Sequence, residues 1–174
     1  MSSYKNLPPG ERVPEIVNVV VEIPKGSGHK YEYDPGLDAF CLDRTLYSPM
    51  HYPGDYGFIP GTLAEDGDAL DALILLEQPT FPGCVIRARP IGILTMLDEG
   101  REDAKVLAVS VGDPRMERIK GIQDVDEHLL REVRYFFDTY SELEGKKTTT
   151  RDWLDAEQAM KIITAACQRF CRKS

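Results

Sequence analysis

Three aspartates, Asp66, Asp68 and Asp71, fall within six residues in the stretch EDGDALDALILLE, residues 65–77. They open an unbroken apolar run from Ala72 to Leu76. A run this short, rich in Leu and Ile and preceded by Asp-Gly, reads as a strand buried on both faces. The acids therefore stand at the mouth of a core strand. Ionised carboxylates held this close repel one another and raise each other's pKa, and nothing basic lies between them. A hard divalent cation is the simplest compensation. Mg²⁺ and Ca²⁺ take oxygen ligands, and Mg²⁺ often uses only one or two carboxylates with water and a phosphate. Turn chemistry competes with this reading, because Asp is favoured in turns for its own backbone hydrogen bonds. An EF-hand loop fits poorly. Asp66, Asp68 and Glu77 match its positions one, three and twelve, but Leu70 and Asp71 stand at positions five and six, and the sixth needs Gly.

Further along, DEGREDAK at residues 98–105 holds a second acidic cluster, Asp98, Glu99, Glu102 and Asp103, with Lys105 behind it. As a charged turn it has an ordinary reading, yet it ends a strand expected beside the first cluster. Glu22 is an acid at the end of a valine-rich strand. Lys30 and Arg44 sit on segments expected to neighbour each other through a hairpin at Pro35-Gly36. Tyr52 and Tyr56 lie in a loop, and loops on a rigid scaffold often carry function. Acids that hold divalent cations, with Lys30, Arg44, Lys105, Tyr56 and Tyr140 to hold an anion, describe a metal–phosphate site. Bound Mg²⁺ reverses the sign of the local field, which otherwise repels a phosphate.

The elements that must position these residues follow from periodicity. Residues 1–14 are polar and Pro-rich and read as an extended arm. Residues 15–24 read as a strand with Val17, Val19 and Val21 on one face and Asn18, Val20 and Glu22 on the other. Residues 45–61 read as a long, shaped, aromatic loop. Residues 84–97 predict a strand bent at Pro90-Ile-Gly92, residues 98–105 a turn, and VLAVSV another strand. Helices are predicted over 126–140 and 155–171 from apolar residues at helical spacing, with a polar loop between them. Asp155 and Gln158 resemble a capping box. The expected architecture is α+β, mainly β, with about five to seven mostly meandering strands in an antiparallel or barrel-like sheet flanked by helices.

The 174 residues suit one domain with a real core, and the net charge of −8 leaves no basic stripe for nucleic acid. The N-terminus has no signal-like apolar run and no stretch reaches membrane-spanning length. Cys41, Cys84, Cys167 and Cys171 show no paired framework, which reads as reduced thiols of a cytoplasmic protein, with Cys167 and Cys171 in core packing.

The string DGDALDAL resembles the D-x-D-x-x-D signature of the family I soluble inorganic pyrophosphatases. The segments VEIPKGSGHKYEYD, LDRTLYSPMHYPGDYGFIPGT, PGCVIRARPIG and DEGREDAK resemble family segments in the family's order. Several motifs in register are far more specific than one short pattern. The resemblance implies a small closed five-stranded barrel of the oligonucleotide-binding type with extra hairpin strands and helices outside. It implies Mg²⁺-dependent hydrolysis of pyrophosphate to two orthophosphates, with several Mg²⁺ per site. By position, Asp66, Asp71 and Asp103 bind the metal nearest the attacking water, and Asp71 bridges to a second. Asp98 with Asp103 binds further metal arriving with the substrate, supported by Glu22. Asp68 is the general base, and Lys30, Arg44, Tyr56, Lys105 and Tyr140 hold the phosphoryl groups. A homo-oligomer is implied, the hexamer favoured, with no nucleic-acid or membrane partner. Two positions depart from the family pattern: Ala69 where Pro is usual, and Ser141 where a phosphate-contacting Lys is usual.

Overall fold

A computed structural model of the protein describes residues 4–173. The first three residues of the expected arm, and Ser174, lie outside that range. Strand β1, Val17–Ile23, is built from β-branched residues, which favour a pleated and buried surface. A separate two-stranded hairpin follows, β2 at His29–Asp34 and β3 at Ala39–Thr45. Then come β4 at Asp55–Ile59, β5 at Leu70–Leu75, β6 at Val85–Asp98 and β7 at Arg101–Ser110. Helix α1 spans Glu127–Thr139, β8 spans Thr148–Asp155, and α2 runs from Ala156 to Lys173.

The strands pair in the order β1-β4-β5-β7-β6-β8, and β1 pairs again with β6. The first five therefore close into a ring, as the family resemblance implies, with β8 as an added edge. All pairings in the ring are antiparallel except β5 with β7, which run parallel. Gly57 on β4 permits the ring to close: a Cβ there would lie 1.9 Å from the Val20 carbonyl oxygen on β1. Strand β5 is buried on both faces, as its unbroken apolar run predicts. Leu70, Ala72 and Ile74 join the core that Ala159, Ile163 and Ala166 of α2 complete. Leu73 and Leu75 join the core that Val133, Phe136 and Phe137 of α1 complete. The Asp126 carboxylate caps α1, accepting from the backbone N–H groups of His128 and Leu129 at 2.9 and 3.2 Å.

Five sequence expectations change. The loop expected over 45–61 contains β4. The turn expected over 98–105 is confined to Glu99-Gly100, so Glu102 and Asp103 lie on β7. Pairing with β6 along the whole of β7 overrides the low strand propensity of acids. The polar segment before α2 forms β8, whose polar residues suit an edge strand. Among the described residues eight strands form, more than the expected five to seven. Finally, Cys171 is exposed rather than packed, while Cys167 is partly buried against the core. The predicted bend in β6 is a register shift between Pro90 and Gly92.

Candidate active site

The parallel pairing of β5 with β7 places Asp71 opposite Lys105. Asp103, two residues before Lys105, shares its face of β7. Lys105 Nζ consequently lies between two carboxylates, 2.6 Å from Asp71 Oδ2 and 2.8 Å from Asp103 Oδ2. Its side chain is only 8% exposed, and the ammonium rests 5.6 Å from the Tyr56 ring centre and 5.9 Å from that of Phe137. Burial alone disfavours the charged ammonium, but the two carboxylates outweigh it and hold its pKa above the ordinary value. The Tyr56 hydroxyl, carried by β4, also donates to Asp71 Oδ2, at 2.7 Å.

Asp66 and Asp68 lie in the loop that feeds β5. The Asp68 backbone N–H donates to Asp66 Oδ1 at 3.0 Å, and Ala64 N–H donates to the Asp68 carbonyl at 2.7 Å. Partial burial, then repulsion from Asp66 and Asp71, raises the Asp68 pKa. Burial likewise raises that of Asp103, with Lys105 opposing. Glu22, near the end of β1, accepts from the Tyr33 N–H at 2.8 Å. Burial pushes its carboxyl up to about 7, against the lowering effect of that bond. Tyr140, just past α1, stacks on Phe136 with ring centres 5.2 Å apart. Burial raises its phenol to about 12 and raises Tyr56 as well, so both remain donors at neutral pH.

These groups converge on one cavity of about 740 Å³. Asp66, Asp68, Asp71, Asp98, Asp103 and Glu22 all line it, as do Lys30, Lys105, Tyr56 and Tyr140. Of the predicted site residues only Arg44 stands outside the lining. It pairs across the hairpin with Lys30, but its guanidinium is turned to Asp43 at 2.6 Å and to Glu144 at 2.9 Å. Lys30 is held by Glu32 and lies 3.8 Å from Asp43. Ser141 is buried with its hydroxyl unpartnered among the described residues. Lys146 and Lys147 are exposed and lie outside the lining.

The lining offers carboxylate oxygens without a thiol or imidazole, which is the donor chemistry of a hard cation. Among the described residues no three acidic, His or Cys side chains are gathered as a ready cage. Lys105 accounts for this at the centre, since it occupies the gap between Asp71 and Asp103. Sequence reasoning missed Glu144, because nothing in the polar 141–147 segment marks its carboxylate, whose side chain is 5% exposed. It also missed Phe170 and Lys173 of α2, which reach the cavity from the far end of the chain. Glu32, two residues beyond Lys30 on β2, also lines the cavity.

A ring-closed sheet carries one cavity lined by carboxylates, cations and phenols, which is donor chemistry suited to a hard cation and an anion together. Comparison with known proteins narrows this. The inorganic pyrophosphatase family profile matches residues 19–171. The inorganic pyrophosphatase of Thermus thermophilus is 47% identical over 173 residues, covering 98% of this chain and 99% of its own. That of a Nostoc species is 47% identical over 162 residues, covering 93% of this chain and 96% of its own. A crystal structure of the Thermus thermophilus inorganic pyrophosphatase superposes with a TM-score of 0.95, covering 98% of this chain and 99% of that one. The chain belongs to the inorganic pyrophosphatase family and is therefore an enzyme, as the sequence motifs imply.

Proposed function

We propose that this chain hydrolyses inorganic pyrophosphate to two orthophosphates in a Mg²⁺-dependent reaction. One observation carries the reading: hard-oxygen acids and anion-binding cations and phenols line the same cavity. Asp66, Asp71 and Asp103 would hold Mg²⁺ on the side of the attacking water, with Asp98 and Glu22 serving further ions. Bound Mg²⁺ supplies a water of lowered pKa and offsets charge on the phosphoryl oxygens. Asp68 would accept a proton from the attacking water at a carboxylate oxygen. Its raised pKa brings it nearer the working range of a general base.

The chain's own cations orient the anion. An ammonium has three donors. Two of those on Lys105 meet Asp71 and Asp103, and the third would serve a phosphate oxygen. Tyr140 stays protonated and donates. Lys30 enters from the hairpin. Arg44 takes part only after its guanidinium exchanges Asp43 for phosphate, a fork-shaped partner it suits equally well. Four free cysteines fit a reducing, cytoplasmic setting. No described helix is long and apolar enough to cross a membrane. A homo-oligomer, the hexamer favoured, is what the family resemblance implies; sedimentation at graded concentrations tests it.

The deciding experiment is orthophosphate release from pyrophosphate with Mg²⁺, with Ca²⁺ and with EDTA. Rapid release in Mg²⁺ alone is expected. Equal release in Ca²⁺ or EDTA would refute the metal chemistry, and none in Mg²⁺ from folded protein would refute the reaction.

A further inference from the structure

The loop carrying Asp66 and Asp68 is fastened at both of its stems, once by its own Thr62 and once by α2. Where it enters β5, the Thr62 hydroxyl accepts from Leu70 N–H at 2.9 Å and donates to the Ile59 carbonyl at 2.5 Å. This ties the end of β4 to the start of β5. Where the loop begins, the fastening comes from α2. Leu63 N–H donates to the Ala166 carbonyl at 3.0 Å. Arg169 Nε donates to the Leu63 carbonyl at 2.9 Å. Both backbone polar groups of Leu63 are thus held by one helix, and Arg169 Nη1 also comes within 4.0 Å of Glu65 Oε1. Leu63 itself lines the acid-bearing cavity, beside Phe170 and Lys173 from the last turn of α2.

This arrangement has a mechanical meaning. A general base and a metal ligand on a loop work only if the loop is held near one geometry, and small displacements are costly in rate. Proline at position 69 would restrict the backbone beside Asp68 covalently. Ala69 does not, so order in the loop depends more on its tethers. A guanidinium bonding a backbone carbonyl is a charge-assisted tether, stronger than a neutral one.

We propose that Arg169 is a positioning residue of the active site: through Leu63 it sets the placement of Asp66 and Asp68 and touches no substrate itself. This rests on the pyrophosphatase reading above. Helix α2 is then part of the catalytic apparatus as well as cover for the core. The alternative is that Arg169 only glues the helix to the body of the protein. That alternative lowers stability and leaves metal binding and turnover intact.

The test compares Arg169→Ala and Arg169→Lys with Arg172→Ala, an exposed control one turn from the loop contact. Mg²⁺ binding to the substrate-free protein is titrated by calorimetry, turnover is measured at saturating Mg²⁺ and pyrophosphate, and melting is followed in EDTA. Losing a charge-assisted bond should weaken Mg²⁺ binding by roughly tenfold in Arg169→Ala and reduce turnover to a similar degree. Arg169→Lys, which keeps a donor for the Leu63 carbonyl, should recover part of both, and Arg172→Ala should change neither. Adding Ala69→Pro to Arg169→Ala should restore part of the Mg²⁺ affinity by stiffening the same loop. Arg169→Ala that melts earlier but binds Mg²⁺ and turns over like wild type overturns the inference. If Arg169→Ala does not fold, wild-type Mg²⁺ affinity in a folded Arg169→Met, which has no donor for the Leu63 carbonyl, overturns it equally. Wild type that neither binds Mg²⁺ nor releases orthophosphate instead removes the functional reading, and this inference with it.

Discussion

Acids reach the cavity by two kinds of support. Asp71 and Asp103 stand on β5 and β7, where backbone pairing fixes their positions and a buried lysine lies between them. Asp66 and Asp68 stand on a loop whose place depends on a threonine hydroxyl and an arginine from α2. Strand support is cooperative: to move Asp71 the ring must open. Loop support is local, so side-chain changes can tune it without unfolding the sheet. The group proposed to move a proton is on the adjustable support, and the proposed metal bridge is on the rigid one.

The comparison is broken most severely at the strands. Asp71→Asn should reduce turnover by more than ~10³-fold and remove most Mg²⁺-dependent stabilisation. Asp68→Asn should cost ~10²- to 10³-fold in turnover, the scale of one general base, while retaining most Mg²⁺ affinity. Equal Mg²⁺ affinity in both variants, measured by calorimetry, would erase the division between rigid ligand and adjustable base. Lys105→Met leaves Asp71 and Asp103 facing each other without their cation. It should lower stability in EDTA by ~3–5 kcal/mol, the usual result of removing one partner from a buried ion pair, and Mg²⁺ should restore part of that loss. Chemical denaturation with and without Mg²⁺ checks it.

A smaller effect is expected from pH. The Glu22 carboxyl is raised from its ordinary value to about 7, chiefly by burial. The fold therefore favours its protonated form, so the stabilisation it provides is full below the unfolded pKa. It is lost as pH rises through about 7. Asp68 and Asp103, also raised, act in the same sense. Denaturation midpoints in EDTA should fall between pH 5 and pH 8, and Glu22→Gln should flatten part of that fall. A midpoint that climbs with pH in wild type contradicts the sign. The smallest expected effect is Ala69→Pro, which should stabilise by at most ~1 kcal/mol through the unfolded chain and sharpen the Mg²⁺ response of the loop. Destabilisation would show that the Ala69 backbone is incompatible with proline.

Much of this was legible in the residues themselves. The apolar run after Asp71 reads as a buried strand from its length and its Asp-Gly lead-in, with the acids at its mouth, and β5 spans Leu70–Leu75. Alternation around Lys30 and the Pro35-Gly36 turn placed Lys30 beside Arg44, and their pairing across the hairpin bears this out. Other features depend on partners far away in the chain. Nothing local says that β5 runs parallel to β7, yet this pairing brings Asp71 to Lys105. Strand β4 hides among prolines and glycines because Gly57 is needed for close approach to β1 rather than for a turn. Glu102 and Asp103 look like turn residues until the long β6 supplies their backbone partners. The family motifs name Arg44 as a phosphate ligand, but cannot say that Asp43 and Glu144 hold its guanidinium outside the cavity lining.

The parallel pairing of β5 with β7 also bears on how the chain folds. Asp71 and Lys105 are 34 residues apart in sequence, with all of β6 between them. Strands β6 and β7 can zip locally through the Glu99-Gly100 turn, where both residues have positive φ. Docking β5 alongside must await that hairpin and then close a larger loop, which is entropically slower. During refolding, secondary structure should appear before enzymatic competence, and a one-residue slip of β5 would leave a folded ring with Asp71 turned to the wrong face.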